Sequence, residues 1–193
     1  TSSLRRLYRI PPVLQAQIVL MKNLAIIIPV YNEEKYLPDF IKELLSGTKK
    51  LEHSPNIYFV NDGSSDRTGQ VLRKYLSSNH ISVINLRKNG GKGNAMRVGS
   101  ERAIGDGAKY LVYMDGDGQH DPSHLPKFID NLKHFSIVFG YRKLKENAPF
   151  IRRLGNQVSS FIIKHVFRIN RVGDILCGFF GIQAKIFPEI KWD

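Results

Sequence analysis

Leu24-Ala25-Ile26-Ile27-Ile28-Pro29-Val30 is a continuous apolar run rich in β-branched residues. A strand exposed on one face alternates apolar and polar side chains; a run without that alternation is covered on both faces. Parallel strands flanked by helices are buried in that way, so this stretch predicts an α/β fold. The next segment agrees. From Glu33 to about Ser46 the apolar residues Leu37, Phe40, Ile41, Leu44 and Leu45 recur at helical spacing, and Gly47 is the expected stop.

The same alternation continues outward along the chain. Ile57 to Val60 predicts a second strand, ending in the polar turn Asn61-Asp62-Gly63-Ser64-Ser65. A helix with Val71, Leu72 and Tyr75 on one face follows, then a third strand from Ile81 to Leu86. Gly90, Gly91 and Gly93 mark a loop before a helix from about Asn94 to Ile104. Tyr110 to Met114 is a fourth strand, closed by Asp115-Gly116-Asp117. A helix carrying Leu125, Phe128, Ile129 and Leu132 precedes a fifth strand, Ser136 to Phe139. Regular alternation predicts a mostly parallel central sheet with helices on both faces. Such sheets bind ligands beyond the carboxyl ends of their strands, and the turns at Asn32, Asp62 and Asp115 all fall there. Phe150 to Ile169 reads as a further helix, with Arg153, Lys164 and Arg168 opposite its apolar stripe. It is either a core helix with a solvated face or a basic helix lying on a membrane.

The length of 193 residues suits one domain. A net charge of +12 points to acidic partners: nucleic acid, an anionic membrane surface or phosphorylated substrates. The single cysteine, Cys177, excludes an internal disulfide. No apolar stretch reaches membrane-spanning length. Residues 1–20 carry Arg5, Arg6 and Arg9, no acid, and Pro11-Pro12. Prolines and glutamines break their apolar part, which makes a poor signal peptide. They read as an upstream extension with Met21 as the native start; the competing reading is a basic peptide on a membrane. Residues 21–193 then form a single catalytic domain.

Asp115 and Asp117 stand one residue apart at a glycine turn after a buried strand, with Gln119, His120 and Asp121 just beyond. Two carboxylates so placed suit Mg²⁺ or Mn²⁺, which take oxygen ligands and leave positions for phosphate oxygens. Gln119 offers a neutral ligand. The bland alternative is a solvated acidic turn. Asp62 is suited to accept hydrogen bonds from a nucleobase or ribose, while Asp66 or Ser65 caps the following helix and leaves Asp62 free. Pro29, Tyr31, Asn32 and Glu33 end the first strand in the same manner, and Glu33 and Glu34 fall in a helix first turn, where acids are favourable. Asn89-Gly90-Gly91-Lys92-Gly93 lacks the Ser or Thr of a P-loop and the spacing of a dinucleotide fingerprint, so it is a weak motif alone. Lys92 can still reach a phosphate; the alternative is a tight strand-to-helix turn. His53, His80, His124 and His134 lack ligand spacing and are expected to face solvent.

Four segments occur in order: Ile27-Ile28-Pro29-Val30-Tyr31-Asn32-Glu33-Glu34, Val60-Asn61-Asp62-Gly63-Ser64-Ser65-Asp66, Asn89-Gly90-Gly91-Lys92-Gly93 and Met114-Asp115-Gly116-Asp117-Gly118-Gln119-His120-Asp121-Pro122. Together they resemble glycosyltransferase family 2, with its GT-A fold and Rossmann-like nucleotide-binding half. The likeness spans about Asn23 to Gln183 and is nearest to the dolichyl-phosphate mannose synthase and polyprenyl-phosphate glycosyltransferase branch. It implies that Pro29, Tyr31, Glu33 and Asp62 hold the nucleoside, with Asn32, Lys92, Gly116 and the two motif aspartates completing the donor site. It implies Asp115, Asp117 and Gln119 as ligands of Mg²⁺ or Mn²⁺. Gly140-Tyr141-Arg142 matches an element of the branch, so Arg142 and Arg153 would grip an acceptor phosphate. Asp174 and Cys177-Gly178-Phe179 would close the site. Gly116 stands where Ala is common, a sterically minor change. Relatives continue past the position of Asp193, so the catalytic domain is read as C-terminally short, with one expected acceptor arginine beyond it.

The implied reaction is metal-dependent, inverting transfer from GDP-mannose or a UDP-hexose to a polyprenyl phosphate. A phosphate with a second pKa of about 6 is already nucleophilic at neutral pH and needs cations to place it. The Q-x-x-R-W element of processive polysaccharide synthases is absent. The implied location is cytoplasmic and peripheral, on the inner face of an anionic membrane. A sugar-hydroxyl acceptor is the first alternative, with Asp174 as general base. A nucleotidyltransferase would need an N-terminal glycine-rich loop with Arg and Lys, which the chain lacks. A non-catalytic nucleic-acid-binding module accounts for the charge but not for acids clustered at strand ends, so no nucleic-acid partner is expected. An inactive relative is the remaining alternative.

Overall fold

The computed structural model of the chain describes residues 23–49, 51, 54–76, 80–116, 121–140 and 178–191. Strand β1 (Leu24–Val30) lies inside the sheet with helices over both faces. Leu24, Ile26, Ile28 and Val30 face one core, with Phe40, Leu44, Leu72 and Phe128. Ala25 and Ile27 face the other, with Ala95, Met96 and Ala103. That double burial is why the run shows no polar alternation.

Helix α1 (Leu37–Thr48) leads to β2 (Asn56–Asn61), α2 (Thr68–Arg73), β3 (Ile81–Asn85), α3 (Lys92–Gly105) and β4 (Tyr110–Tyr113). A 3₁₀ turn, Pro122–His124, opens α4 (Leu125–Leu132), with β5 (Ile137–Phe139) next. The last elements are β6 (Phe180–Gln183) and a 3₁₀ segment, Ala184–Glu189. The sheet order is β3-β2-β1-β4-β6-β5. β1 pairs in parallel with β2 and β4, and β2 with β3. β6 is antiparallel to both β4 and β5.

The expected parallel sheet and two-sided helices are present, with one element added, both ends of the first helix moved, and other boundaries shifted by one or two residues. β6 was not expected, because four residues containing a glycine carry almost no strand signal. The glycine is what admits it. A Cβ on Gly181 would stand 2.8 Å from Leu132 Cδ1 and 3.3 Å from the Leu111 carbonyl oxygen. Gly181→Val should therefore cost about 1–3 kcal/mol of stability through overpacking. Urea unfolding measures it; an unchanged midpoint would mean that α4 yields freely.

The first helix begins at Leu37, not Glu33: after the left-handed Asn32 (φ 56°) the Tyr36 and Leu37 amides both turn back to the Glu33 carbonyl, and Pro38 has no amide with which to extend the helix back to Glu34. Glu33 and Glu34 thus precede the helix. Nor does Gly47 stop it; the helix runs through Gly47, which packs against Pro122. Residues 1–20 and the helix expected from Phe150 to Ile169 lie outside the described residues.

Candidate active site

β1, β2 and β4 run parallel, so the chain leaves all three at one edge. The Asp62 amide bonds the Val30 carbonyl (2.9 Å) and the Met114 amide bonds the Ile27 carbonyl (3.1 Å), which holds the three exits side by side. The turns after β1 and β2 are stitched together. Asn32 Oδ1 accepts from the amides of Ser65 (2.9 Å) and Asp66 (3.4 Å), and the Asn32 amide donates to Ser64 Oγ (3.0 Å). The Glu33 amide donates to Thr68 Oγ1 (2.8 Å). Glu34 Oε2 accepts from the Arg67 amide (2.9 Å), and that bond holds the Glu34 carboxyl below the usual range. Asp66 accepts from the amides of Thr68 (2.9 Å) and Glu34 (3.1 Å). Burial pushes the Asp66 carboxyl up, but its bonds to Thr68 and Glu34 outweigh that and leave it lowered.

Asn32→Ala should destabilise the protein by about 1–3 kcal/mol, since it loses the stitch and places a Cβ-bearing apolar residue at positive φ. Asn32→Gly keeps the backbone and should cost less. Thermal unfolding of both variants tests this. Equal stability of the two would show that the backbone conformation carries no part of the effect.

Beyond these exits is a cleft of about 290 Å³, lined by Pro29, Tyr31, Glu33, Asp62, Lys92, Asp115 and Gly116. All belong to the expected donor site. Val30, Asn89 and Gly91 line it too. The last two lie in the glycine motif beside Lys92, so the signal for them was present. Asn32 is not among the lining residues; its carboxamide oxygen is engaged with the Ser64–Asp66 turn.

Asp62, expected to be free, has partners. Only 3% exposed, it accepts the Gly90 amide on Oδ1 and the Gly91 amide on Oδ2, both at 2.8 Å. Each carboxylate oxygen retains a further lone pair for a ligand. The bonds fix the glycine loop, where Gly91 (φ 87°) is the N-cap of α3 and Lys92 is the helix's first residue. The positive end of α3 therefore adjoins the cleft. Lys92 Nζ forms an ion pair with Asp115 Oδ1. Gly178 lies so close that a Cβ there would overlap the Asp115 carboxylate.

Asp117, Gln119, Arg142, Arg153 and Asp174 lie outside the described residues. Among the described residues no three His, Cys, Asp or Glu side chains gather as a metal centre. Asp121 caps the 3₁₀ turn by accepting the Ser123 amide (2.8 Å). His80, His124 and His134 are exposed, as expected; His53 lies outside the described residues. No helix among the described residues is long and apolar enough to cross a membrane.

A mostly parallel sheet, helices on both faces and an acid- and glycine-lined cleft at the strand ends make an open α/β fold, the architecture that the resemblance to GT-A glycosyltransferases implied. The fold is shared with the crystal structure of glucosyl-3-phosphoglycerate synthase from Mycobacterium tuberculosis in complex with Mn²⁺, UDP-glucose and phosphoglyceric acid. That likeness has a TM-score of 0.66 at 16% identity, over 89% of this chain and 60% of that one. The model of glycosyl transferase family 2 matches residues 25–190, and the chain belongs to this family. It is 31% identical over 175 residues to a dolichol-phosphate mannosyltransferase of Pyrococcus furiosus, covering 88% of this chain and 48% of that protein. It is 30% identical over 146 residues to an undecaprenyl-phosphate 4-deoxy-4-formamido-L-arabinose transferase of Pectobacterium atrosepticum, covering 75% and 44%. The chain thus spans about half the length of these relatives.

Proposed function

We propose that the chain transfers a sugar from a nucleoside-diphosphate sugar to a polyprenyl phosphate, with inversion at the anomeric carbon. The observation that carries this reading is the convergence of Asp62, Lys92 and Asp115 on one cleft at the ends of three parallel strands. The named relatives supply the acceptor class.

Pro29, Tyr31, Glu33 and Asp62 form the nucleoside end of the cleft, and Lys92 with the start of α3 forms its phosphate end. Asp115, with Asp117 and Gln119, would hold Mg²⁺ or Mn²⁺. The chemistry fits: Asp115 presents carboxylate oxygens in the cleft and already pairs with a cation, the Lys92 ammonium. Such an ion, when bound, neutralises charge on the departing diphosphate. Arg142 and Arg153 place the acceptor phosphate, since the guanidinium fork matches its oxygens. A net charge of +12 supports peripheral attachment to an anionic membrane, on its cytoplasmic face.

The test is a panel of UDP- and GDP-sugars with Mn²⁺ or Mg²⁺, followed by transfer to a short-chain polyprenyl phosphate. Arg142→Ala and Arg153→Ala should each raise the acceptor KM or lower turnover about tenfold or more, and leave donor affinity unchanged. Transfer to sugar hydroxyls alone would overturn the acceptor assignment and turn attention to Asp174 as a base.

A further inference from the structure

Lys92 and Asp115 are paired across the cleft that the proposed donor and metal would enter. Lys92 is the first residue of α3, anchored by the glycine loop that Asp62 holds. Asp115 follows β4 and is about three-quarters covered (side chain 25% exposed), whereas the Lys92 side chain is 53% exposed. The Lys92 ammonium is on Oδ1. Gly178 adjoins the same carboxylate, where a Cβ on it would overlap both oxygens. The carboxylate thus has a glycine beside it and a flexible cation on Oδ1.

We propose that Lys92 is an internal counter-ion that guards the metal position: it neutralises Asp115 when no metal is bound and must leave Oδ1 before a divalent ion can bind there. This rests on the donor-site reading above. An ammonium and a divalent cation repel at ligand distances, so occupancy of Oδ1 by one opposes the other. The departing ammonium needs a new anion, and the donor's diphosphate supplies one at the mouth of α3. Nucleotide and metal therefore help each other bind. Nucleotide draws Lys92 away from Asp115, and the metal takes the vacated oxygen. Linkage requires the effect to be reciprocal. A flexible lysine suits this role better than a fixed arginine fork, because it has one compact charge on a rotatable stem.

The experiment titrates Mn²⁺ into the protein alone and into the protein saturated with UDP or GDP, followed by the paramagnetic resonance of free Mn²⁺. Lys92→Met should bind Mn²⁺ without nucleotide about twofold to fivefold more tightly than the parent, the range expected for removing a partly exposed ion pair. The enhancement of Mn²⁺ affinity by nucleotide should shrink by at least the same factor. Lys92→Arg, which keeps the charge, should bind Mn²⁺ alone no more tightly than the parent. Unchanged or weaker Mn²⁺ binding by Lys92→Met, with nucleotide enhancement intact in the parent, overturns the counter-ion role only. A parent whose Mn²⁺ affinity neither nucleotide changes overturns the donor-site reading as well.

Discussion

Asp115→Ala is expected to abolish metal-dependent donor binding and lower turnover by about 10³-fold, while the fold persists. About 4 kcal/mol of transition-state stabilisation corresponds to that factor, a reasonable share for a cation on a departing diphosphate. The fold should survive because Asp115 lies beyond the end of β4, and its pair with half-exposed Lys92 contributes at most about 1 kcal/mol. The substitution also releases Lys92. Free UDP or GDP should then bind without metal at least as well as to the parent, since the ammonium is available for the diphosphate. Calorimetry with nucleotide, with and without Mn²⁺, reads both effects. If metal still strengthens nucleotide binding in a folded Asp115→Ala protein, the metal lies elsewhere.

Asp62→Ala should weaken nucleotide binding by about 100-fold and cost about 3 kcal/mol of stability. The carboxylate is 3% exposed and accepts two backbone amides, from Gly90 and Gly91. Hydrogen bonds to a charged group contribute about 1.5–3 kcal/mol each, and their loss leaves the Gly90 amide for solvent to satisfy by opening the loop, while the Gly91 amide keeps its second acceptor, Asn89 Oδ1 (3.0 Å). Opening the loop displaces Lys92 and the first turn of α3, so the phosphate end of the cleft suffers together with the nucleoside end. Asp62→Asn should not restore the parent. A carboxamide has one accepting oxygen, so an NH₂ group would face one of the two amides, donor against donor. Urea unfolding and calorimetry with UDP and GDP test this. Parent-like stability of Asp62→Asn would mean that the loop does not depend on both bonds.

Much of this was legible in the chain alone. The unbroken run Leu24–Val30 reports burial on both faces, a local property that side-chain order records directly. The helices after β1, β2 and β4 carry their apolar residues at helical spacing for the same reason. The placing of Asn32, Asp62 and Asp115 at strand ends followed from alternation together with the rule for parallel sheets. β6 was not legible, because Gly181 removes the side-chain pattern that marks a strand, and the need for that glycine arises only where Leu132 and Leu111 close around it. Asn32's left-handed turn was not legible either, because it is stabilised by Ser64, Ser65 and Asp66, which no window around Asn32 contains.

The sequence by itself determined the alternating α/β architecture, the strand ends as the edge that carries the candidate site, and the identity of the residues placed there. Those features depend on periodicity and residue type within a few positions of one another. Tertiary structure alone decided which of those residues touch. Asp62 meets Gly90 across 28 positions, Asn32 meets Ser65 across 33, and Lys92 meets Asp115 from the start of one helix to the end of a different strand. Such contacts are fixed by how parallel strands bring distant turns to one edge, and a carboxylate's partners depend on that convergence rather than on its neighbours in the chain.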